Sequence, residues 1–376
     1  MRVLLLNPEY PPVGGGAGNA SRHLALALAA QGHPVTVLTA HYGSLPRQEE
    51  HLGVRVVRVS ALRRRPDRSG VWEQGAFFLA GWGHTVRWVR RWRPEVILAF
   101  FGAPSGLIAW ALPPGLRVPY VVALRGGDVP GFRPYDFATY HRLIGPVLRR
   151  VWRRAAAVVA NSHGLRALAQ RFEPTLPIRV IPNGVDPHRF FPPSQRAWHP
   201  PQLLFVGRLV YQKGLDLLLQ ALAEVPPAHP WHLTIVGDGP YRPHLEALAQ
   251  RLGLGKRLTW AGWQPPERLP AFYQKANLFV FPSRDEGMPN AVLEALASGL
   301  PVIATRIAGN EELISPEVGL LVPKEDQAAL GAALNRLLPD PSARQRMGAA
   351  ARQRVLQHYT WEATAQQYVA LFREVL

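Results

Sequence analysis

The sequence predicts an α/β protein of two doubly wound domains, each a parallel sheet covered by helices on both faces. Short apolar runs alternate with helical patterns along the whole chain, which is typical of such sheets. The length of 376 residues fits two domains better than one. A proline-rich, non-periodic stretch from Asp186 to Pro201 divides the pattern. We therefore expect one domain over 1–185 and a second over 186–358.

The first domain reads as strands separated by helices. Its apolar runs predict strands at Arg2–Asn7, Pro34–Thr39, Val54–Val59, Val96–Phe100, Tyr120–Leu124, Ala157–Asn161 and Arg179–Ile181. Helical periodicity falls between them, for instance at Asn19–Gln31 and Gln74–Arg93.

The second domain repeats this scheme. Strands are predicted at Leu203–Val206, Leu233–Val236, Leu258–Ala261, Leu278–Phe281, Pro301–Ala304 and Gly319–Val322. Helices are predicted at Lys213–Glu224, Arg242–Leu252, Pro266–Ala276 and Asn290–Ser298.

Composition excludes several kinds of site. The chain has no cysteine, so disulfides, thiolate metal sites and cysteine nucleophiles are absent. The opening apolar run stops at Asn7-Pro8, too early for a secretory signal, and no stretch reaches the ~18 apolar residues of a membrane span. We expect a cytoplasmic protein.

Positive charge is concentrated in the first half. The net charge is +17, and residues 1–180 hold 24 arginines against 9 acidic residues. Such a field attracts polyanions or an anionic membrane surface, and arginine-rich solvation explains it equally well.

A glycine-rich turn, with Gly14, Gly15 and Gly16, follows the first strand and precedes a helix. Glycine lets backbone approach an anion closely, and a helix N-terminus supplies amides, so the turn suits a phosphate or a cluster of sugar hydroxyls. A purely structural turn is the alternative. A nicotinamide site is disfavoured because the second strand ends in Thr39-Ala40-His41, without an acidic residue for the ribose.

Two cations and a second glycine turn follow strands of the second domain. Arg208 and Lys213 lie where they could neutralise a departing diphosphate, or they are solvated surface cations. Gly237, Asp238 and Gly239 form a tight turn that could pass close to a base or ribose, or be an ordinary connection.

The segment from Phe281 to Ala295 carries two acidic residues around a helix start. Glu286 lies in the loop and Glu294 about one turn inside the helix, where carboxylates could bind sugar and ribose hydroxyls. The alternative for Glu294 is a surface helix residue. Between them lie Gly287, Met288, Pro289 and Asn290, which we expect to line the same binding site, with Pro289 suited to the first helical turn.

Taken together, these motifs resemble family four of the retaining glycosyltransferases, also called group 1. The resemblance covers nearly the whole chain and implies the GT-B fold, in which two Rossmann-like domains face each other across a cleft. It rests on Gly14–Gly16, Arg208 with Lys213-Gly214, Gly237–Gly239, the Glu286-x7-Glu294 spacing, Ile181–Asp186 and Ala297–Ile303.

The resemblance also implies roles for residues. The second domain would hold a nucleotide sugar and the first its acceptor, while a last helix over 359–376 would cross back to the first domain. Attack on the same face of the sugar would retain the anomeric configuration. By the same resemblance, Arg208 and Lys213 bind the diphosphate, Glu286 orients the sugar, Glu294 holds the ribose, and Gly15 and Gly16 approach the donor.

The first domain departs from the family at one position. Arg125 stands where many members carry a histidine facing the sugar. As a permanent cation it is expected to bind an anionic acceptor or the donor phosphate. Asp128 is expected to contact the acceptor or pair with Arg125. His23 and His163 are weaker substitutes for the missing histidine.

The expected reaction is transfer of a hexose from a nucleotide diphosphate sugar to a hydroxyl acceptor. The acceptor would be a glycan, a glycolipid or a small hydroxyl compound, and the pathway glycolipid, cell-envelope or exopolysaccharide synthesis. No Asp-x-Asp occurs, so neither a metal nor another cofactor is expected.

Other functions stay open at this stage. A glucan synthase or sugar phosphorylase would share nearly all the motifs, and a nucleotide-sugar epimerase or dehydrogenase fits less well. A basic nucleic-acid-binding protein would explain the charge but not the second-domain motifs. Helix Gln74–Arg93 mixes aromatic and basic residues, which favours either a sheet-covering helix or interfacial binding to an anionic membrane from the cytoplasmic side.

Overall fold

The computed structural model describes residues 1–65 and 69–376, and it confirms the two predicted parallel-sheet α/β domains. The N-terminal unit comprises Met1–Asn183 with Trp361–Leu376, and the C-terminal unit comprises Gly184–Thr360.

The N-terminal unit contains an eight-stranded sheet in the order β3-β4-β2-β1-β5-β6-β7-β8. All pairings are parallel except β3 with β4. The sequence did not predict β3, because its residues Gln, Glu, Glu and His are polar and form an exposed edge strand. The strands are β1 Val3–Leu6, β2 Val35–Ala40, β3 Gln48–His51, β4 Val54–Val59, β5 Val96–Phe100, β6 Tyr120–Leu124, β7 Ala157–Ala160 and β8 Ile178–Val180.

Helices cover both faces of this sheet because its strands are apolar on both sides. Val3 and Leu5 face one hydrophobic core, whereas Leu4 and Leu6 face another, as the two-residue period of a strand requires. Helices α1 and α13 pack in the first core and α2 to α5 in the second. The helices are α1 Gly16–Ala30, α2 Val71–Trp92, α3 Leu107–Trp110, α4 Pro134–Arg154, α5 His163–Phe172 and, last in the chain, α13 Trp361–Val375.

The C-terminal unit contains a six-stranded parallel sheet in the order β11-β10-β9-β12-β13-β14. Its strands are β9 Gln202–Val206, β10 His232–Val236, β11 Leu258–Gly262, β12 Leu278–Phe281, β13 Val302–Thr305 and β14 Gly319–Val322. Its helices are α6 Leu215–Ala223, α7 Arg242–Arg251, α8 Leu269–Lys275, α9 Asn290–Ala297, α10 Ala308–Leu313, α11 Gln327–Leu337 and α12 Pro341–His358.

Two arginines fix the carboxyl end of α9. Arg196 donates to the carbonyls of Ser298 and Gly299, both at 2.7 Å. Arg352 on α12 donates to the Ala297 carbonyl at 2.8 Å. Cations at a helix C-terminus satisfy its last carbonyls and complement its dipole. The opposite end of α9 is thereby held at the edge of the sheet where the candidate site lies.

None of the helices in the described ranges combines the length and apolar character needed to span a bilayer.

Replacing Gly237 with alanine should destabilise the protein strongly. Gly237 has φ +134°, and an added Cβ would lie 1.9 Å from the Gly207 carbonyl oxygen. We expect a loss of at least about 2 kcal/mol in the free energy of unfolding. The control Gly331→Ala, in α11 with no atom near the added Cβ, should be neutral or stabilise by about 0.5–1 kcal/mol. Urea denaturation of both variants checks this, and equal stabilities would contradict it.

Candidate active site

Loops from neighbouring strands meet at the carboxyl edge of the C-terminal sheet, the edge where doubly wound sheets bind ligands. The loop after β9 touches the loop after β12, since a Cβ on Gly214 would lie 2.0 Å from the Pro282 carbonyl oxygen. Gly214 also has φ +65°. Backbone contact of this kind admits only glycine and leaves the side chains beside it close together.

Lys213 and Glu286 form an ion pair across these two loops. The Lys213 Nζ donates to Glu286 Oε1 at 2.5 Å, and the Ser283 hydroxyl donates to the same oxygen at 2.7 Å. The two charged side chains are largely buried, with 15% and 11% exposure. A partly desolvated cation and carboxylate interact more strongly than they would in water. Both residues were predicted from the sequence, whereas Ser283 was not.

The other predicted residues of these loops lie nearer to solvent. Arg208 is exposed, and among the described residues it forms no ion pair. The Asp238 carboxylate accepts from the Gly239 amide at 2.7 Å and pairs with Arg242 at 3.4 Å. Asp238 therefore holds its own turn and the start of α7. The donor roles predicted for Arg208, Gly237, Asp238 and Gly239 stay predictions.

The amino end of α9 adjoins this ion pair in sequence. Gly287, Met288 and Pro289 are buried, and the helix begins at Asn290. Pro289 was expected in the first helical turn, but it precedes the helix, and its carbonyl accepts from the Val292 amide at 3.1 Å. This end of the helix supplies backbone amides to a neighbouring anion.

Glu294 lies within α9 and accepts a 2.8 Å hydrogen bond from the Tyr273 hydroxyl. Burial raises the pKa of this carboxyl from 4.5 to about 7, although Tyr273 and Arg189 act in the opposite direction. Glu294 is half-buried and hydrogen-bonded to Tyr273, which argues against the alternative of a solvent-exposed surface residue. No sequence signal predicted Tyr273, because a contact between α8 and α9 depends on tertiary packing.

In the N-terminal unit, the glycine turn wraps around an acidic side chain. Glu9 Oε2 accepts from the Gly15 amide at 3.2 Å, and a Cβ on Gly14 would lie 2.5 Å from the Glu9 Cβ. Helix α1 begins at Gly16, earlier than the predicted start near Asn19. Glu9 was not among the residues predicted from the sequence, although it is an acidic residue between a strand and a glycine turn.

Arg125 makes contacts with three elements of the N-terminal unit. Its guanidinium lies over the Phe100 ring at 3.8 Å from the centroid and donates to Asn183 Oδ1 at 2.7 Å. A further hydrogen bond joins it to the Tyr368 hydroxyl on α13. Burial lowers the pKa of Arg125, while Tyr368 and Asp128 oppose this effect. The predicted contact with an anionic acceptor or with the donor phosphate stays a prediction. In the structure, Arg125 joins β5 and β6 to α13.

Asp128 braces the loops that follow β5 and β6. Its two carboxylate oxygens accept from the backbone amides of Gly102 and Arg125, each at 2.9 Å. Burial raises the pKa of this carboxyl, and the two amide hydrogen bonds lower it. The link to Arg125 expected from the sequence therefore runs through the backbone amide.

No group of three or more potential ligands among histidine, aspartate and glutamate occurs within the described ranges. A hard cation such as Mg²⁺ would need clustered oxygen ligands.

Two family models match the chain, one for each unit. "Glycosyl transferase 4-like domain" matches residues 15–184, and "Glycosyl transferases group 1" matches residues 189–354. Glycogen synthase of Mycobacterium tuberculosis is 31% identical over 402 residues, covering 99% of this chain and 95% of the relative. The chain belongs to family four of the glycosyltransferases. The prediction that the chain is a glycosyltransferase is thereby confirmed, and a glucan synthase remains consistent with it.

Solved structures show the same fold as this family-four enzyme. Sucrose-phosphate synthase from Thermosynechococcus elongatus matches with a TM-score of 0.89 and 27% identity, covering 100% of this chain and 99% of that structure. HepE of Anabaena in complex with UDP-glucose matches with a TM-score of 0.79 and 20% identity over the whole of both chains. The predicted GT-B fold is confirmed.

The raised pKa of Glu294 predicts how stability depends on pH. Between about pH 4.5 and 7, the folded state retains a proton that the unfolded state has lost. The free energy of unfolding should therefore fall as pH rises through this window, by up to about 3 kcal/mol. Glu294→Gln should flatten this decline. Urea titrations at several pH values test it, and identical pH profiles for the variant and the wild type would contradict it.

Proposed function

We propose that the enzyme transfers a hexose from a nucleoside diphosphate sugar to a hydroxyl acceptor, without a metal and with retention of anomeric configuration. The observation that supports this most is the Lys213–Glu286 pair at the carboxyl edge of the C-terminal sheet. A cation suits the leaving diphosphate, and a carboxylate beside it suits the hydroxyls of the sugar.

The leaving group needs stabilisation as its negative charge grows. When the bond between the anomeric carbon and the phosphate oxygen breaks, its electron pair goes to the diphosphate. Lys213, Arg208 and the amide groups at the start of α9 supply positive charge there. These groups do the work that a divalent cation does in other transferases, so we propose no metal and no other cofactor.

Glu286 is suited to orient the sugar. Both of its hydrogen bonds arrive at Oε1, which leaves Oε2 to accept from a sugar hydroxyl. The acceptor oxygen forms the new bond on the face that the diphosphate leaves, and its proton passes to a phosphate oxygen of the leaving group. A pair of glycosidase-like carboxylates is then unnecessary. Glu294, once ionised, would accept from the ribose hydroxyls.

The names of the relatives support this substrate class. Glycogen synthase and sucrose-phosphate synthase are named for glycosyl-transfer products, and HepE was solved with UDP-glucose. The acceptor we propose is a glycan, a glycolipid or a small hydroxyl compound, in glycolipid, cell-envelope or exopolysaccharide synthesis. A glucan synthase is the second candidate because glycogen synthase is similar over nearly the whole chain.

Nucleotide sugars should stabilise the protein against heat. A ligand at about 100 times its Kd adds about 2.7 kcal/mol, which raises Tm by a few degrees. Lys213→Ala and Glu294→Ala should reduce the shift, whereas Lys275→Ala, an exposed lysine on α8, should preserve it. Thermal-shift assays with nucleotide sugars, NAD, NADP and random DNA test this. A shift with NAD or DNA alone would contradict the proposal.

Lys213→Ala should also lower kcat by roughly 10²–10³-fold, the usual cost of removing a group that stabilises developing negative charge.

Two measurements on the wild type test retention and metal independence. Proton NMR should show that the product has the anomeric configuration of the donor, and activity should persist in EDTA. Inverted product would refute retention, and loss of activity restored by Mg²⁺ or Mn²⁺ would refute metal independence.

A second proposal concerns the partner of the basic N-terminal unit. Helix α2 has apolar side chains facing outward, with Trp72 90%, Leu79 70% and Trp82 37% exposed. Elsewhere on the same helix, Phe77 and Val89 are buried in the core. A sheet-covering role therefore accounts for only part of the apolar surface of α2.

Arginines continue this surface toward the carboxyl end of α2. Arg87, Arg90 and Arg91 are exposed, and residues 1–180 carry 24 arginines against 9 acidic residues. Exposed aromatic residues beside arginines suit the interface of an anionic bilayer. We propose that the enzyme is cytoplasmic and binds peripherally to the inner face of the membrane through α2.

Vesicle co-sedimentation tests the membrane proposal. The protein should bind phosphatidylglycerol vesicles and release them at high salt, with weaker binding to phosphatidylcholine. Trp72→Ala with Leu79→Ala should weaken binding at least about 10-fold, because burial of a large apolar side chain contributes ~1.5–3 kcal/mol. Trp263→Ala removes a tryptophan of the C-terminal unit that is 69% exposed, and it should have no effect. Equal binding by both variants would overturn the proposal.

A further inference from the structure

Arg284 lies in the loop after β12 and is nearly inaccessible, with 4% exposure. Its guanidinium donates twice to the Asp216 carboxylate, at 3.0 and 2.8 Å, and its Nε donates to Glu325 at 3.0 Å. It also donates to the Tyr211 carbonyl at 2.5 Å and lies over the Tyr211 ring at 3.8 Å from its centroid. One side chain thus joins the loop after β9, the start of α6 and the loop after β14.

These contacts surround the Lys213–Glu286 pair. Along the chain, Tyr211 precedes Lys213 and Asp216 follows it, so Arg284 fixes the segment on both sides of Lys213. Arg284 itself lies in the same short loop as Glu286. The positions of both site residues therefore depend on the arginine, although within the described part of the chain its side chain forms no hydrogen bond with the side chain of Lys213 or Glu286.

Two hydrogen bonds that do not involve the guanidinium join the same two loops. The Arg284 amide donates to the Gln212 carbonyl at 2.7 Å, and the Gln212 side chain donates to the Asp285 carbonyl at 2.5 Å. The backbone sets the distance between the loops, and the guanidinium adds contacts that orient the chain around Lys213.

The charge of Arg284 is secured by its partners. Burial alone would lower its pKa, but the hydrogen bonds and attraction of Asp216 and Glu325 raise it overall. A planar guanidinium makes the paired hydrogen bonds to Asp216, whereas a lysine ammonium keeps the charge but not this geometry. An arginine-to-lysine change therefore tests geometry while the charge is preserved.

We propose that Arg284 is a positioning residue for glycosyl transfer, which orients the chain around Lys213 so that Lys213 pairs with Glu286, and which touches neither donor nor acceptor. This inference rests on the proposed function of that pair. Because the pair acts on charge and orientation in the transition state, a small displacement should lower kcat more than it changes KM for the donor.

The test compares Arg284→Lys with Arg344→Lys. Arg344 is fully buried in the same unit, and it donates to the carbonyls of Leu337 and Leu338 at 2.5 and 2.6 Å. It thus serves as a matched structural control. Arg284→Lys should lower kcat about 10- to 100-fold with the donor KM within about threefold of wild type. Arg344→Lys should lower Tm and leave kcat per folded molecule unchanged. Unchanged kcat in folded Arg284→Lys would overturn the proposal.

Two further measurements test the role of Arg284 if Arg284→Lys does not fold or if no sugar transfer is detected. If Arg284→Lys does not fold, Glu325→Gln alters the contacts of Glu325 with Arg284 and with the Tyr211 hydroxyl and leaves the Asp216 pair in place. In that variant kcat should fall about 3- to 10-fold. An unchanged kcat would refute the role of Arg284.

A crystal structure of the folded variant tests the same role without an activity measurement. In that structure, Lys213 Nζ and Glu286 Oε1 should lie beyond hydrogen-bonding distance. An intact pair would refute the role of Arg284 even if no sugar were transferred, whereas an inactive wild type would refute the proposed function alone.

Discussion

The candidate site depends on backbone contact between loops at the carboxyl edge of the C-terminal sheet. Glycine at positions 214 and 237 permits carbonyl oxygens of neighbouring loops to lie where a Cβ would otherwise be. Parallel strands place these loops at one edge, and the contact holds them there. The ion pair of Lys213 and Glu286 is a consequence of that contact, because each residue lies on one of the two joined loops.

In the N-terminal unit, Arg125 and Asp128 hold the loops that follow β5 and β6. The Arg125 guanidinium contacts Phe100, Asn183 and Tyr368. Asp128 uses both carboxylate oxygens to hold backbone amides. These contacts connect the carboxyl ends of β5 and β6 to the helix that ends the chain.

Much of the fold could be predicted from the sequence, because buried parallel strands are continuous apolar runs between helices. The strand Gln48–His51 could not be, since its polar residues have no apolar pattern and an edge strand needs none. For the candidate site, residue types after strands predicted Lys213 and Glu286, and the structure brings these two side chains together, whereas their roles stay predictions. Ser283 and Tyr273 were not predicted as hydrogen-bond partners, and neither was the role of Arg284, because these contacts depend on loop geometry and packing that no local pattern encodes.

The most direct test of the account is a crystal structure of the enzyme with a nucleoside diphosphate glucose. The account predicts a diphosphate oxygen within hydrogen-bonding distance of Lys213 Nζ and a sugar hydroxyl on Glu286. A donor bound elsewhere, with Lys213 and Glu286 paired to each other and touching no part of it, would contradict the central claim.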